Sequence, residues 1–158
     1  MSNYMSTKPT EELIIALGFA ISRWQDSVED FDGAVGEIYG LSAAERRCLS
    51  SVSHGPQPAN AIAKDVNLTP AAVTTLIDRL EKRGFVRRQS DPHDRRRVMV
   101  AAAEKTEELT RQTYQPVFEA GAALLENYSM EEMALIRKFI EEVTAMQISQ
   151  TNALRHRK

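Results

Sequence analysis

Cysteine is almost missing from this chain: Cys48 stands alone in 158 residues. One thiol cannot close an intrachain disulfide, and a cysteine-poor chain suits a reducing compartment, so a cytoplasmic location is expected. Cys48 itself falls in an apolar helical pattern and reads as a small buried hydrophobe rather than a redox sensor. Histidine is equally sparse. His54, His93 and His156 lie far apart and none forms a ligand-spaced pair, so no metal site is expected. No apolar run approaches the roughly 20 residues of a membrane span, which predicts no membrane partner. The opening MSNYMSTKPTEE lacks the charged and apolar segments of a signal peptide. There is no nucleophile elbow, phosphate-binding glycine loop or metalloprotease helix. Internal repeats and low-complexity tracts are missing too. With no convergent acid, base and nucleophile set, the chain is not expected to be an enzyme, and no cofactor is implied.

Charge of one sign is also scarce overall, with 20 Lys+Arg against 22 Asp+Glu and a net charge of −2. Its distribution is uneven. Residues 69–97 carry eight basic and four acidic side chains, a local +4, which leaves −6 for the remainder. A mildly acidic protein with one concentrated basic patch suits a polyanion bound at one face. Within that patch Arg95, Arg96 and Arg97 stand in a row. Adjacent like charges repel and add little to folding, so the run points to function more strongly than the patch alone.

The stretch 69–101 reads as a helix, a strand, an arginine-rich turn and a return strand. Thr69 is a good N-cap and Pro70 fits the first helical position. Val73, Leu76, Ile77 and Leu80 form one apolar stripe at helical spacing, and Gly84 is a natural stop. Phe85 and Val86 on one side, and Val98, Met99 and Val100 on the other, flank a turn built on Asp91-Pro92-His93-Asp94. A helix followed by a basic-tipped hairpin is the outline of a winged helix-turn-helix. One element suits the major groove of DNA and the other reaches the minor groove.

A helical frame surrounds this segment. Residues 10–31 form an amphipathic helix, with Leu13, Ile14, Leu17, Ile21, Trp24, Val28 and Phe31 spaced by threes and fours. Gly33, Gly36 and Gly40 mark its exit loop. Ser42 and Glu45 form a capping box that opens a helix carrying Leu49 and Val52. The run from His54 to Pro58 breaks it. A short helix over 59–66 turns its Ile62 and Ala63 inward. Asn67 then supports a tight turn, because Asn tolerates the left-handed backbone. The helices 59–66 and 70–84 are the helix-turn-helix pair. After the hairpin a long helical pattern contains Pro116, which predicts a kink near Gln115. A second capping box, Ser129 with Glu132, opens a last helix to about residue 150. Its apolar positions are Met133, Ile136, Phe139, Ile140, Val143 and Met146. The tail TNALRHRK is expected to fray.

The segments LIDRLEKRGFVRRQSDPHDRRRVMV and IAKDVNLTPAAVTTLIDRLE, in this order of elements, resemble the MarR family of transcriptional regulators over nearly the whole chain. The first carries that family's D-P-x-D-R-R wing signature. Two departures stand out. The family's usual Leu-Thr-x-x-Gly after the wing is replaced by Ala102-Ala103-Glu104-Lys105-Thr106, which predicts a more continuously helical junction. Arg46 stands early in the second helix, where an aromatic or apolar residue is usual. The expected fold is mainly α with a small β-hairpin: a winged helix-turn-helix lobe over 41–101 and a dimerisation region formed by 8–32 and 104–150. The resemblance implies a homodimer, and the wide apolar stripes at both ends of the chain support it, since monomers rarely expose such surface. A two-fold dimer would read a pseudo-palindromic operator in double-stranded DNA, with half-sites about 34 Å apart.

Candidate DNA contacts follow. Thr69, Ala71, Ala72, Thr74, Thr75 and Arg79 lie off the apolar stripe of the recognition helix. There a guanidinium suits guanine, and small residues permit close approach. Gln57, Asn60 and Lys64 are expected to meet phosphates from the preceding helix. By the motif match, Arg96 is the minor-groove arginine and Asp94 positions it, while Arg95 and Arg97 meet phosphates. Arg87 and Arg88 either do the same or solubilise their strand. The resemblance also implies a small, anionic aromatic effector. Arg46 and Trp24 are the candidate contacts, against the plainer readings that Trp24 packs in the core and Arg46 pairs with Glu29 or Asp30. The expected function is a sequence-specific DNA-binding regulator, a repressor, modulated by that effector. The alternative is a winged-helix protein-interaction module without DNA binding, against which the arginine run stands.

Overall fold

The computed structural model of the protein describes residues 11–92, 94 and 97–156. Helix α1 spans Glu11–Tyr39, α2 Ala43–Ser53, α3 Ala59–Val66 and α4 Pro70–Lys82. A short strand β1, Gln57–Pro58, precedes α3, and β2 (Val86–Ser90) and β3 (Val98–Ala102) follow α4. Helix α5 is Glu104–Leu109, a π-helical turn occupies Thr110–Tyr114, and α6 (Gln115–Leu125) and α7 (Met130–Arg155) complete the chain. Among the described residues no helix is long and apolar enough to cross a membrane.

Local chemistry accounts for most element ends. Both capping boxes form: Ser42 and Ser129 accept from the backbone of Glu45 and Glu132, whose carboxylates accept from the serine backbone in return. Those bonds, the backbone one foremost, hold the Glu132 carboxyl below its ordinary range. Thr69 caps α4, with Pro70 in its first turn. Asn67 takes the left-handed backbone, φ 55°, between α3 and α4, and Gly84 sits at φ +80° just beyond α4.

Four expectations change. Helix α1 does not stop near Phe31 but runs through Gly33 and Gly36 to Tyr39, and only Gly40, at φ 60°, ends it. Gly36 serves close approach instead of an exit: a Cβ there would collide with the Arg46 guanidinium and lie 2.8 Å from the Leu41 carbonyl oxygen. The hairpin gains a third strand, in the order β1-β3-β2, with Gln57 opposite Val100 and Pro58 opposite Met99. Proline is tolerated in β1 because this is an edge strand. The junction after the wing is abrupt, since Ala103 alone separates β3 from α5. There the Phe85 carbonyl accepts from the Ala103 N–H at 2.9 Å and from the buried Thr106 hydroxyl. The last helix runs past 150 through Arg155, whose cation suits a helix C-terminus.

Pro116 acts as expected. Its missing N–H and bulky ring disturb the turn before it, and the backbone widens into the π-helical turn. The chain divides into two compact units between Leu109 and Thr110. Helices α1 and α5 fall in the first unit with the winged lobe. In the first unit the core sits among α2, α3, α4 and the sheet, around the fully buried Phe85, Ile62, Ile77, Leu80, Val52, Val73 and Val100. In the second unit no described residue is buried.

Candidate nucleic-acid interface

The recognition helix α4 is anchored by one face. Val73, Leu76, Ile77 and Leu80 are buried, so Ala71, Ala72, Thr74, Thr75, Asp78 and Arg79 project outward. Thr69, at the cap, is exposed as well, and its hydroxyl oxygen accepts from the Ala72 N–H. The Thr74 and Thr75 hydroxyls donate to the carbonyls of Pro70 and Ala71 at 3.0 and 3.2 Å. With their protons turned back to the helix, both threonines offer a methyl group and oxygen lone pairs outward. That suits thymine methyls and base amino groups.

Asp78 and Glu81 would repel phosphates from this helix. Arg88 on β2 meets both carboxylates, and its backbone N–H donates to Glu81 Oε1 at 2.9 Å. The Asp78 carboxylate, first among these partners, raises the guanidinium pKa. Arg88 thus ties the wing to the recognition helix and cancels adverse charge. Arg87 donates to the Ala102 carbonyl across the ladder. Neither arginine is left as a simple solubilising group.

The remaining candidates scatter more. Asn60 and Lys64 are exposed on α3. Gln57 is not on a helix but in β1, paired with Val100. Arg79, the expected guanine reader, sits near the C-terminal end of α4, with Nη1 3.9 Å from Glu45 Oε1. Its side chain remains 62% exposed, so the pairing is loose. At the wing, Asp91 N–H donates to the Arg97 carbonyl at 3.0 Å and Arg97 N–H to the Asp94 carbonyl at 2.9 Å. Arg97 Nη1 also lies 3.9 Å from Asp91 Oδ2. Arg95 and Arg96 lie outside the described residues.

Trp24 and Arg46 do not share a site within one chain. Arg46 is half-buried against Gly36, and its Nη1 donates to the Leu41 carbonyl at 3.3 Å. Trp24, exposed on α1, precedes Gly36 by twelve residues, or about 18 Å along a helix axis. A single-ring ligand cannot touch both. Glu29 and Asp30 precede Gly36 by seven and six residues on the same helix, about 9–11 Å along its axis, and Arg46 donates to the Leu41 carbonyl instead. Cys48 is fully buried. That burial, with Glu45 adding, pushes its thiol up to about 12, so it stays protonated and unreactive.

Besides capping α2, Glu45 pairs with Arg79 and Arg83, a role its capping position does not announce. Glu45 is only 3% exposed and sits between Arg79 and Arg83. The signal was present: Glu45 falls on the stripe of Cys48, Leu49 and Val52, where a lone acid must find buried partners. Among the described residues no group of His, Cys, Asp and Glu is arranged to hold a metal.

Comparison with known proteins agrees with this architecture. Residues 41–98 match the MarR family. An HTH-type transcriptional regulator of Bacillus subtilis, YcgE, is 32% identical over 111 residues, 70% of this chain and 72% of the relative. A MarR-like transcriptional regulator of Thermotoga maritima superposes with a TM-score of 0.58 at 27% identity, over 89% of this chain and 99% of that one. CouR of Rhodococcus jostii, solved bound to p-coumaroyl-CoA, shares the fold at TM-score 0.57 and 24% identity, over 85% of this chain and 95% of its own.

Proposed function

The chain belongs to the MarR family of transcriptional regulators, and from that premise we propose that it is a homodimeric, sequence-specific repressor that binds double-stranded DNA and is released from it by a small anionic aromatic effector. The observation that carries the reading is the outer face of α4. It presents Ala71, Ala72, Thr74 and Thr75, small enough for close approach to base edges, while Arg88 removes its adverse charge. Asn60, Lys64 and Arg97 flank that face as phosphate partners, with Thr69 at the helix start. Arg95 and Arg96 extend the basic wing by sequence.

A second copy of the chain is the natural cover for the apolar faces. Leu13, Leu17, Trp24 and Val28 of α1, and Ile136, Phe139 and Ile140 of α7, are all more than a third exposed. A two-fold pair would set two recognition helices roughly 34 Å apart on one face of DNA. Occupying that much duplex excludes other proteins, which favours repression. The effector reading draws on the ligand held by CouR and on Arg46, a guanidinium suited to a carboxylate. Trp24 of the same chain stays out of reach of a ligand held there.

Binding to a duplex enriched by the protein from random-sequence DNA, followed across a salt series, tests the reading. Log affinity is expected to fall linearly with log salt, with a slope steeper than about −4, and to exceed affinity for the unselected pool. Enrichment of nothing, with no salt-dependent binding, would return the chain to a protein-interaction module. For the effector, Arg46→Met is expected to abolish release by an aromatic carboxylate such as salicylate while DNA binding persists. Release at unchanged concentration would remove Arg46 from the site.

A further inference from the structure

One guanidinium outside the DNA-facing surface joins four elements of the lobe. Arg83 is the residue that ends α4. Its Nη2 donates to the carbonyl of Tyr39, the last residue of α1, at 2.7 Å. Its Nη1 lies 3.5 Å from Glu45 Oε1 on α2. Its Cζ stands 5.0 Å from the ring centroid of Phe85, the residue that leads into β2, and Lys105 Nζ approaches the same ring at 4.7 Å.

Each contact has a physical reason. The terminal carbonyls of a helix lack intrahelical partners, and a cation there also meets the negative end of the helix dipole. Gly40, at φ +60°, turns the chain sharply beside the guanidinium, and a Cβ on it would sit 3.5 Å from Nη2. Glu45 is committed on its other oxygen, Oε2, which accepts from the Ser42 N–H at 2.8 Å. That bond caps α2, so the carboxylate is fixed before Arg83 reaches it. A planar fork can serve a carbonyl, a carboxylate and a ring face together; a lysine ammonium, being a point charge, cannot.

We propose that Arg83 is a positioning residue for DNA recognition: by joining the end of α1 to Glu45 and Phe85, it sets the direction of α4 relative to α1. The proposal rests on the DNA-binding reading above. In a dimer built through α1, that direction decides whether two recognition helices match the half-site spacing of one duplex. Arg83 would then govern specific binding without touching DNA.

The test uses the full-length protein, with Arg83→Lys beside the parent, on the duplex that the parent enriches and on the unselected pool. The expected result is a loss of affinity for the enriched duplex on the order of tenfold or more. Affinity for the pool, the salt slope and the sedimentation of the protein are expected to stay unchanged. A salt slope shallower by about 0.9 per site would mean that Arg83 binds a phosphate directly, and would overturn the proposal. A lower melting temperature with intact affinity for the enriched duplex would mean a purely structural brace, and would also overturn it. If Arg83→Lys does not fold, Glu45→Gln, which keeps the bond to Ser42, is read the same way. Failure of both variants to fold makes the network a folding requirement and overturns the positioning role. Lack of enrichment by the parent would instead defeat the DNA-binding reading itself.

Discussion

Helix α4 in the winged lobe and helix α7 in the second unit carry apolar stripes of similar spacing, with opposite outcomes. In α4 the stripe of Val73, Leu76, Ile77 and Leu80 is buried, and Thr74, Thr75, Asp78 and Glu81 around it have partners. In α7, Ile136, Phe139, Ile140 and Met146 remain between 37% and 51% exposed, and no residue of the helix is buried. The first region completes its core within one chain. The second leaves its stripe exposed within one chain. An apolar stripe therefore does not identify its own partner; the difference lies in whether the chain supplies a facing surface.

Removing the unfinished region should produce the largest effect. A chain stopped at Tyr128 loses α7, and its exposed α1 stripe is expected to aggregate or unfold. Sedimentation and circular dichroism check this, and a soluble, cooperative monomer would erase the distinction between the two regions. Damage to the finished region is next. Phe85→Ala empties the centre of the lobe and is expected to cost about 3–5 kcal/mol in denaturant unfolding. A cost below about 1 kcal/mol would mean that the lobe core is less complete than its burial implies.

Smaller effects refine the comparison at the lobe surface. Arg88→Ala removes partly exposed ion pairs, which contribute less than about 1 kcal/mol to stability. It frees Asp78 and Glu81 beside the DNA-facing helix, however, so DNA affinity should fall more than stability does. Equal losses in both would reduce Arg88 to a brace. The smallest effect concerns Cys48. Its pKa in the folded protein, raised to about 12, lies above the ordinary thiol value. The folded state therefore keeps a proton that the unfolded state loses as pH climbs. The contribution is full below about pH 9 and declines as pH rises toward 12. The parent should lose stability faster than Cys48→Ala above pH 9, and at pH 8 the native thiol should resist alkylation. Parallel stability curves would place the thiol in water.

Element boundaries were legible where one residue settles the backbone. Thr69, Ser42 and Ser129 announced helix starts, Asn67 and Gly84 announced left-handed turns, and Pro116 announced a disturbance just before itself. Glycine was ambiguous. Gly33 and Gly36 looked like a loop but lie inside α1, because a glycine inside a helix can mark a close neighbour as readily as an end. Strand β1 was hidden, since two residues with a proline carry no periodicity and pair only because β3 offers an edge.

The sequence by itself determined the winged helix-turn-helix, its basic wing and the outward face of α4. These follow from short-range periodicity, caps and breakers, which act within a few residues. Only the tertiary structure decided that Glu45 is buried between Arg79 and Arg83, that Arg88 clamps wing to helix, and that Trp24 and Arg46 stand apart. Such pairings join residues as far as 44 positions apart, as in Arg83 with Tyr39. A charge in a sequence states that it needs a partner, but its position in the folded chain settles which partner is within reach.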